Sequence, residues 1–276
     1  MSCPNPEVYK FMSIFVGSFR DQDNVNTSKT PVMLAKGPLR WVLWDVKDTL
    51  MEVLGSAGKQ YCKEAEKLGL SLCHAEVDAA FERVYRDYSC RYPNYGKSQG
   101  LTGQTWWMKV VKDTLSQCRV QDPMVLNTVA NNAYWNFRNA TNWKIYPDAK
   151  PALERCSSLG LKLGVVSNFD DRLEEVLRSC GLLSYFSFVI SSEEAGVAKP
   201  SPDIFVQALQ RCGTSADNVA HVGDHFVNDY LASGSAGIHG ILLDRHNKYK
   251  EAEVPQEQRI VSLEELPSRL QQIMHQ

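Results

Sequence analysis

The sequence of 276 residues predicts an α/β fold, a doubly wound parallel sheet with an inserted all-helical cap domain. Three observations lead to this prediction. From residue 146 onward, short apolar runs alternate with helical patterns, and runs that are apolar throughout indicate strands with helices on both faces. Residues 53–140 carry helical periodicity without strands. Polar residues follow the apolar runs, at the strand ends where such sheets bind ligands.

The predicted sheet starts in the largely apolar run 39–43, and four later runs supply further strands, at 161–166, 186–190, 219–222 and 238–243. Helical patterns alternate with these runs, at 148–158, 172–180, 203–212 and 263–274. Three of these helices are followed by a glycine, which readily takes the left-handed conformation that ends a helix; the glycines are Gly160, Gly181 and Gly213. The core domain is therefore predicted to comprise 37–52 and 141–276.

The predicted cap domain, 53–140, contains four helical patterns and one turn-rich segment, 92–103. The helical patterns lie at 53–68, 75–88, 105–117 and 123–136. Because this region is inserted directly after the first strand, we expect it to cover the strand ends. A helical cap of this size closes over a site and favours small molecules over polymers as substrates.

Composition excludes several classes of partner. The formal charge is −2 and the basic residues are scattered, so neither nucleic acid nor a membrane surface is a predicted partner. No apolar run approaches the roughly 20 residues that span a bilayer. The eight cysteines form no Cys-x-x-Cys pair, which favours reduced thiols in a cytoplasmic rather than a secreted protein. Residues 1–36 lack a clear signal-peptide cleavage site and are predicted to be a disordered extension. The sequence leaves the oligomeric state open.

Four clusters of polar residues lie at or just after predicted strand ends. A phosphoryl-transfer site needs a nucleophile, donors for the phosphoryl oxygens, a cation and metal-binding carboxylates, and the clusters offer one of each. Taken singly, each has a structural explanation, such as a helix cap, a turn or a solvated loop lysine. The clusters are Asp45 with Thr49, Ser167-Asn168, Lys199-Pro200, and Gly223-Asp224 with Asp229. Their order along the chain favours a common site.

In this order the clusters resemble the four motifs of the haloacid dehalogenase superfamily. The family's first motif, Asp-x-Asp-x-Thr, matches the segment from Asp45 to Thr49. Ser167 falls on the second motif and Lys199 on the third. Gly-Asp followed by an aspartate five residues later is the fourth motif, found here as Gly223-Asp224 and Asp229. The resemblance covers about residues 39 to 245, with the helical region at the family's first cap position.

The resemblance implies a role for each of these residues. Asp45 would attack phosphorus, Ser167 would hydrogen-bond a phosphoryl oxygen, and Lys199 would balance charge. Mg²⁺ would be held by Asp45, by the backbone carbonyl of Lys47 and by Asp224, with Asp229 supporting the metal from behind. The implied substrate is a small phosphorylated molecule. Its predicted contacts are Thr49 and Asn168 of the core and Asn94, Tyr95 and Trp106 of the cap; core packing between cap helices is the alternative for Trp106 and for its neighbour Trp107.

Lys47 departs from the family pattern, which has an aspartate there as the general acid and base. A lysine with a pKa of about 10.4 can donate a proton but is a poor base at neutral pH. Desolvation under a closed cap and a nearby Mg²⁺ are expected to lower that pKa. Asp48 replaces the family's usual glycine, and an ion pair of Asp48 with Lys47 or with the cap is the favoured interpretation.

Three functions remain open on this basis. The first is a slow or substrate-restricted Mg²⁺-dependent phosphohydrolase acting through an aspartyl-phosphate. The second is a metal-independent hydrolase that acts at carbon, since the superfamily's dehalogenases also lack the second aspartate. The third is a catalytically impaired protein that binds a ligand or a partner. The acidic Asp224 and Asp229 favour the first function over the second.

Overall fold

The computed structural model describes residues 38–250 and 253–275, so the predicted extension, 1–36, lies outside the described part. Eight strands occur in this part: β1 (Trp41–Trp44), β2 (Met51–Val53), β3 (Trp143–Ile145), β4 (Lys162–Ser167), β5 (Phe188–Ser191), β6 (Val219–Gly223), β7 (His239–Leu243) and β8 (Arg259–Ile260). Six of them form one parallel sheet in the order β5-β4-β1-β6-β7-β8. The predicted doubly wound sheet is confirmed.

The ten α-helices of the described part are α1 (Ala57–Glu66), α2 (His74–Arg91), α3 (Gly103–Gln117), α4 (Pro123–Asn136), α5 (Ala149–Ser158), α6 (Leu173–Ser179), α7 (Ser192–Ala195), α8 (Asp203–Cys212), α9 (Ala232–Ser235) and α10 (Leu266–Met274). Helices α1 to α4 lie between β2 and β3 and are called the helical insertion below. Three of these four helices begin at a side-chain cap, provided by Ser56, Thr102 and Asp122. A π-helix, Phe226–Leu231, follows β6.

Strand β1 lies in the middle of the sheet and is buried on both faces. Val42 and Trp44 pack into the cluster that contains α5, α6 and α10. Trp41 and Leu43 pack on the opposite face, in the cluster that contains α8. Strand order reverses at β1, because β4 lies on one side of it and β6 on the other. The carboxyl end of β1 is therefore the position at which an open α/β sheet binds ligands.

A small antiparallel sheet at the base of the helical insertion is absent from the prediction. Strands β2 and β3 pair there, with Met51 opposite Ile145 and Val53 opposite Trp143. Helix α1 consequently begins at Ala57 and not at residue 53 as predicted. Strands of three residues are too short to show a period in the sequence, which explains why they were missed.

The helical insertion is joined by hydrogen bonds to the segment that follows β5 at the carboxyl edge of the sheet. Asn94 donates a hydrogen bond to the carbonyl of Ser192 at 2.8 Å, just beyond β5. The backbone N–H of Gly103 donates to Glu193 at 2.6 Å. These contacts bring residues 94 and 103 of the insertion next to the end of β5. Within the described part, the helices are all too short or too polar to cross a membrane, and the seven cysteines form no disulfide.

Candidate active site

Asp45 stands directly after β1, with its carboxylate almost fully buried. Its backbone N–H donates to the carbonyl of Val222 at 3.0 Å, which continues the pairing of β1 with β6 by one residue. The Oδ1 atom accepts hydrogen bonds from Ser167 Oγ at 2.9 Å and from Lys199 Nζ at 2.6 Å. The predicted nucleophile, hydroxyl donor and cation therefore meet at one carboxylate oxygen.

Lys199 is the centre of a buried charge cluster. Its ammonium group donates to Asp45 Oδ1, to Asp229 Oδ1 at 2.5 Å and to the carbonyl of Val166 at 3.0 Å. Burial alone disfavours the charged ammonium, but the attraction of Asp229 and Asp45 outweighs it and raises the pKa of Lys199. Lys199 therefore stays protonated and holds the nucleophile in place.

Asn168 fixes the backbone of Lys199. Its side-chain amide donates to the carbonyl of Lys199 at 2.8 Å, and its Oδ1 accepts from the N–H of the same residue at 2.8 Å. Asn168 was predicted to contact the substrate, and it does line the cavity described below. The structure adds this second role, because both of its polar atoms are engaged by one residue.

His221 is a member of the charge cluster that the sequence analysis missed. Its Nε2 atom lies 3.0 Å from Asp229 Oδ1, and the side chain is fully buried. Burial lowers the pKa of His221, so its imidazole is neutral. Asp229 Oδ2 accepts from the N–H of His225 at 3.0 Å. A histidine inside an otherwise apolar strand, Val219–Gly223, is the sequence signal that could have revealed this contact.

Gly223 allows Asp229 to reach this position. A β-carbon at residue 223 would lie 2.2 Å from Asp229 Cγ, which no side chain can accommodate. Burial disfavours the charge of Asp229, but Lys199 and His221 outweigh that cost and hold its pKa well below the usual range. Both oxygens of Asp229 are thus engaged by protein groups, which fixes its carboxylate beside Lys199.

Three carboxylates form a donor set that suits a hard cation. One oxygen each of Asp45, Asp224 and Asp229 lie within 4.8 Å of one another. Burial and repulsion by Asp45 and Asp229 raise the pKa of Asp224 to about 7, so positive charge at this point is favoured. Hard oxygen ligands of this kind suit Mg²⁺. The carbonyl of Lys47 accepts no hydrogen bond from any described residue, and it is therefore free to join them.

Thr49 bridges two of these carboxylates. Its hydroxyl lies 3.1 Å from Asp224 Oδ1 and 3.4 Å from Asp45 Oδ2. The side chain is fully buried, so it holds the two acidic groups at a fixed separation. Thr49 was predicted to bind substrate, and the structure places it beneath the site, on the carboxylates.

Lys47 lies at the site entrance in an ion pair with Asp48. Asp48 has a φ of 64°, the left-handed conformation that glycine takes most readily and that aspartate tolerates. The segment is a turn, which brings the two adjacent side chains together. Burial would lower the pKa of Lys47, but Asp48 outweighs it and the pKa is raised. Desolvation therefore acts as expected, but the ion pair with Asp48 reverses the net shift.

A cavity of about 440 Å³ opens beside Lys47, Asp48 and Asn168 and extends between the sheet and the helical insertion. Tyr95 lines it, and its hydroxyl lies 3.3 Å from the carbonyl of Asn168. The predicted substrate contacts of the core and the helical insertion thus share one cavity at Tyr95 and Asn168.

Two other predicted contacts of the helical insertion lie elsewhere. Trp106 is 2% exposed, packs in the core of the helical insertion and donates to the carbonyl of Tyr92. Its neighbour Trp107 lines the cavity and donates to Asp170 Oδ2 at 2.7 Å. Asn94 bonds the carbonyl of Ser192 and is not a cavity residue. Trp106 therefore packs in a core, as the alternative interpretation has it. Trp107 occupies the cavity position that was predicted for Trp106.

Arg172 and Asp170 form a buried ion pair that the sequence analysis did not identify. Arg172 Nε lies 2.8 Å from Asp170 Oδ1, and one terminal nitrogen lies 2.6 Å from Oδ2. The other terminal nitrogen donates to the carbonyl of Tyr134 at 2.7 Å. The pair joins the loop after β4 to helix α4, and it forms part of the cavity wall.

The sheet, the insertion after its first strand and the cluster around Asp45 together define a hydrolase of one known family. A family model of haloacid dehalogenase-like hydrolases matches residues 39–237. The chain belongs to this family.

Particular relatives extend this comparison. The chain is 54% identical over 235 residues to haloacid dehalogenase-like hydrolase domain-containing protein 3 of Danio rerio, covering 85% of this chain and 97% of the relative. The fold is similar to a 2-haloacid dehalogenase from Pseudomonas syringae, with a TM-score of 0.62 and 22% identity, covering 85% and 99% of the two chains. It is also similar to a phosphatase of the same family from Thermococcus onnurineus, with a TM-score of 0.60 and 24% identity, covering 84% and 98%.

Proposed function

We propose that the protein is a Mg²⁺-dependent phosphohydrolase that acts on a small phosphorylated metabolite through an aspartyl-phosphate on Asp45. The main observation in support of this proposal is the environment of the Asp45 carboxylate. Asp45 accepts from Ser167 and Lys199 on Oδ1, and Asp224 lies within metal-sharing distance. A nucleophile with a fixed cation and an adjacent acidic ligand is the arrangement that phosphoryl transfer requires.

Asp45, Asp224 and the carbonyl of Lys47 would hold Mg²⁺, with Asp229 behind them. When bound, the ion supplies positive charge that offsets the repulsion between the phosphoryl group and the Asp45 carboxylate. Thr49 keeps the two acidic ligands at a fixed separation. This donor set also supports the phosphohydrolase over the metal-independent hydrolase, because hydrolysis at carbon by the superfamily's dehalogenases needs no metal.

Residues of the chain carry out the nucleophilic attack, the charge stabilisation and the proton transfer. Asp45 attacks phosphorus, and the bond from phosphorus to the leaving-group oxygen breaks. Ser167 and Lys199 stabilise negative charge that develops on the phosphoryl oxygens. Lys47 is protonated and offers a cation or a proton to the leaving group, but it is a poor base for the water that then attacks the aspartyl-phosphate. A general base typically contributes about 10²–10⁴-fold to the rate, so turnover is expected to be slow.

We also propose that residues 53–140 act as a cap domain on a core of 37–52 and 141–276, and that the protein works in the cytoplasm. The hydrogen bonds between the helical insertion and the loops after β4 and β5 support the first of these proposals. A cavity enclosed between the two parts suits a small molecule better than a polymer.

The test is a panel of phosphorylated metabolites with and without Mg²⁺, run on the wild type, Asp45→Asn and Lys47→Asp. We expect Mg²⁺-dependent release of phosphate that Asp45→Asn abolishes. Acid-quenched single turnovers should trap phosphate on Asp45. Asp217→Asn, an exposed aspartate outside the site, is the matched control and should keep full activity. Absence of both turnover and labelling in every variant would refute the phosphohydrolase and favour a binding protein.

A further inference from the structure

The cavity above the site has an aromatic wall. Nine of its twenty lining residues are aromatic, so most of the surface that a ligand meets is flat and apolar. Tyr85, Tyr95 and Trp107 form one side, with ring centroids 5.8 Å apart for Tyr85 and Trp107 and 6.3 Å apart for Tyr95 and Trp107. Trp143 and Phe169 form another, at 5.9 Å. A wall with this many rings favours a ligand that carries a further aromatic ring.

The charged groups of the cavity wall are already paired. Lys47 is bound by Asp48, and Arg172 by both carboxylate oxygens of Asp170. Glu52, a third carboxylate of the wall, is paired with Lys144. Carboxylates thus outnumber cations among the described lining residues, and no cation there lacks a partner. A second anionic group on the substrate would find no counter-charge, and burying it unpaired is costly.

The wall offers a few neutral hydrogen-bonding groups. Tyr61 and Tyr85 line the cavity, and neither hydroxyl makes a hydrogen bond with any described residue; Tyr61 is 2% exposed. Pockets of this kind combine an apolar wall with a few polar atoms that orient the ligand. An uncharged ligand with few polar substituents fits this wall.

The volume sets the size of the group that the cavity admits. An apolar cavity of about 150 Å³ holds benzene. The present cavity of about 440 Å³ therefore has space for a one-ring or two-ring aromatic group. Lys47 and Asn168 line it and are close in the chain to Asp45 and Ser167, so a ring in the cavity would carry its phosphoryl group toward Asp45.

The chemistry of the leaving group also favours an aromatic phosphate ester. The sequence has lysine where the family has its general acid and base, so an ester whose alcohol leaves without strong acid assistance is favoured. A phenolic oxygen has a pKa of about 10, far below the value of about 15.7 for water. A phenolate can therefore depart beside the ammonium group of Lys47 without receiving a full proton in the transition state.

We propose that the substrate class is a phosphate monoester of an uncharged aromatic alcohol, phenols above all, with the aromatic group held in this cavity. The proposal rests on the phosphohydrolase function proposed above. Attack by Asp45 forms the bond to phosphorus, and the aryl C–O–P linkage breaks between oxygen and phosphorus, with the electron pair leaving on the phenolate. Water then attacks the aspartyl-phosphate, the phosphorus–Asp45 bond breaks, one water proton passes through the solvent to the phenolate, and the other stays on the inorganic phosphate. The products are the phenol and inorganic phosphate.

Binding to full-length Asp45→Asn with Mg²⁺, measured by titration calorimetry, tests the ligand class without turnover. The probes are 1-naphthyl phosphate, glycerol 1-phosphate, phenyl phosphate and 4-carboxyphenyl phosphate. We expect 1-naphthyl phosphate to bind at least tenfold more tightly than glycerol 1-phosphate, and phenyl phosphate more tightly than its carboxylated analogue. Equal affinities within either pair would overturn the proposal.

A pair of aromatic substitutions locates the ring. Tyr85 is 40% exposed and lines the cavity, whereas Trp135 is 43% exposed on the same helical insertion and lies outside it. In the Asp45→Asn background, Tyr85→Ala should lower the affinity for 1-naphthyl phosphate about threefold to tenfold and leave the affinity for glycerol 1-phosphate unchanged. Trp135→Ala should change neither affinity. Equal losses for both ligands in Tyr85→Ala would contradict binding of the ring in this cavity.

Turnover of the wild type separates this proposal from the phosphohydrolase itself. Faster hydrolysis of glycerol 1-phosphate than of 1-naphthyl phosphate would refute the aromatic substrate class and retain the phosphohydrolase. Selective binding of 1-naphthyl phosphate without hydrolysis of any ester would retain the ligand class and refute the phosphohydrolase.

Discussion

Replacing Lys199 with methionine tests the buried charge cluster most directly. The side chain is 2% exposed, and its ammonium group donates to Asp45 at 2.6 Å and to Asp229 at 2.5 Å. Methionine keeps most of the volume but leaves two buried carboxylates without a counter-charge. A hydrogen bond to a charged group contributes about 1.5–3 kcal/mol, and removing one partner of a buried ion pair costs about 3–5 kcal/mol. We expect the free energy of unfolding at pH 7 to fall by about 3–5 kcal/mol.

The loss depends on pH. In the wild type the pKa of Lys199 is raised, so the ammonium stays charged and stabilising at every pH below its unfolded-state value of about 10.4. In the wild type, burial already raises the pKa of Asp45 although Lys199 opposes the shift, whereas Lys199 keeps the pKa of Asp229 low. In the variant, the pKa of Asp45 rises further and that of Asp229 rises above the unfolded value of about 3.9. The folded variant then binds more protons than the unfolded chain, so its stability falls as pH rises above about 4. The difference from the wild type is therefore larger at pH 8 than at pH 5.

Urea unfolding followed by far-UV circular dichroism at pH 5, 7 and 8 measures both effects. Lys109→Met, an exposed lysine of α3 with no ion pair among the described residues, is the matched control and should change stability by less than about 0.5 kcal/mol. If Lys199→Met behaves like this control, or its loss is the same at every pH, the reasoning is refuted.

Three further predictions concern the metal site, the Asp170–Arg172 pair and the site entrance. Asp224→Asn should abolish the rise in Tm that Mg²⁺ produces in the wild type; that rise should be larger at pH 8 than at pH 6, because protons compete for a carboxyl whose pKa is about 7. Asp170→Asn should lower the free energy of unfolding by about 3–5 kcal/mol in urea titrations, since it leaves the Arg172 guanidinium buried and unpaired; an unchanged midpoint would contradict this. Lys47→Asp should raise steady-state hydrolysis of alkyl phosphates by about 10²-fold or more by restoring a base, without loss of Tm because residue 47 is exposed; unchanged rates would show that proton transfer does not limit turnover.

The sheet and its site could be predicted because both depend on local patterns at fixed places. A strand that is apolar throughout, such as Trp41–Trp44, signals burial on both faces, and a parallel sheet brings the residues after its strands to one edge. Asp45, Ser167 and Lys199 were therefore grouped correctly without any knowledge of their distances. The helical insertion was predictable for a similar reason, and helix α4, Pro123–Asn136, begins and ends where its pattern does.

What the sequence did not reveal depends on contacts between distant segments. Trp106 and Trp107 are adjacent and chemically identical, and only the rotation of α3 decides which one faces the cavity. The pair of Arg172 with Asp170 needs the carbonyl of Tyr134 from another helix to be satisfied. The pairing of Lys47 with Asp48 depends on a left-handed residue, which alternation along an extended strand does not predict.

The place of β1 in the sheet has a consequence for how the protein is made. Trp41 pairs with Lys162 on one side and with Val219 on the other, so the first strand of the sheet to be synthesised waits longest for its second neighbour. At about 5–20 residues per second, its second neighbour emerges from the ribosome roughly 10 to 35 seconds later. During this interval the helical insertion can fold on its own local cluster, while the apolar β1 lacks first both neighbouring strands and then one of them. Slower elongation prolongs the exposure of this strand to chaperones and to aggregation, so synthesis speed becomes a determinant of folding yield.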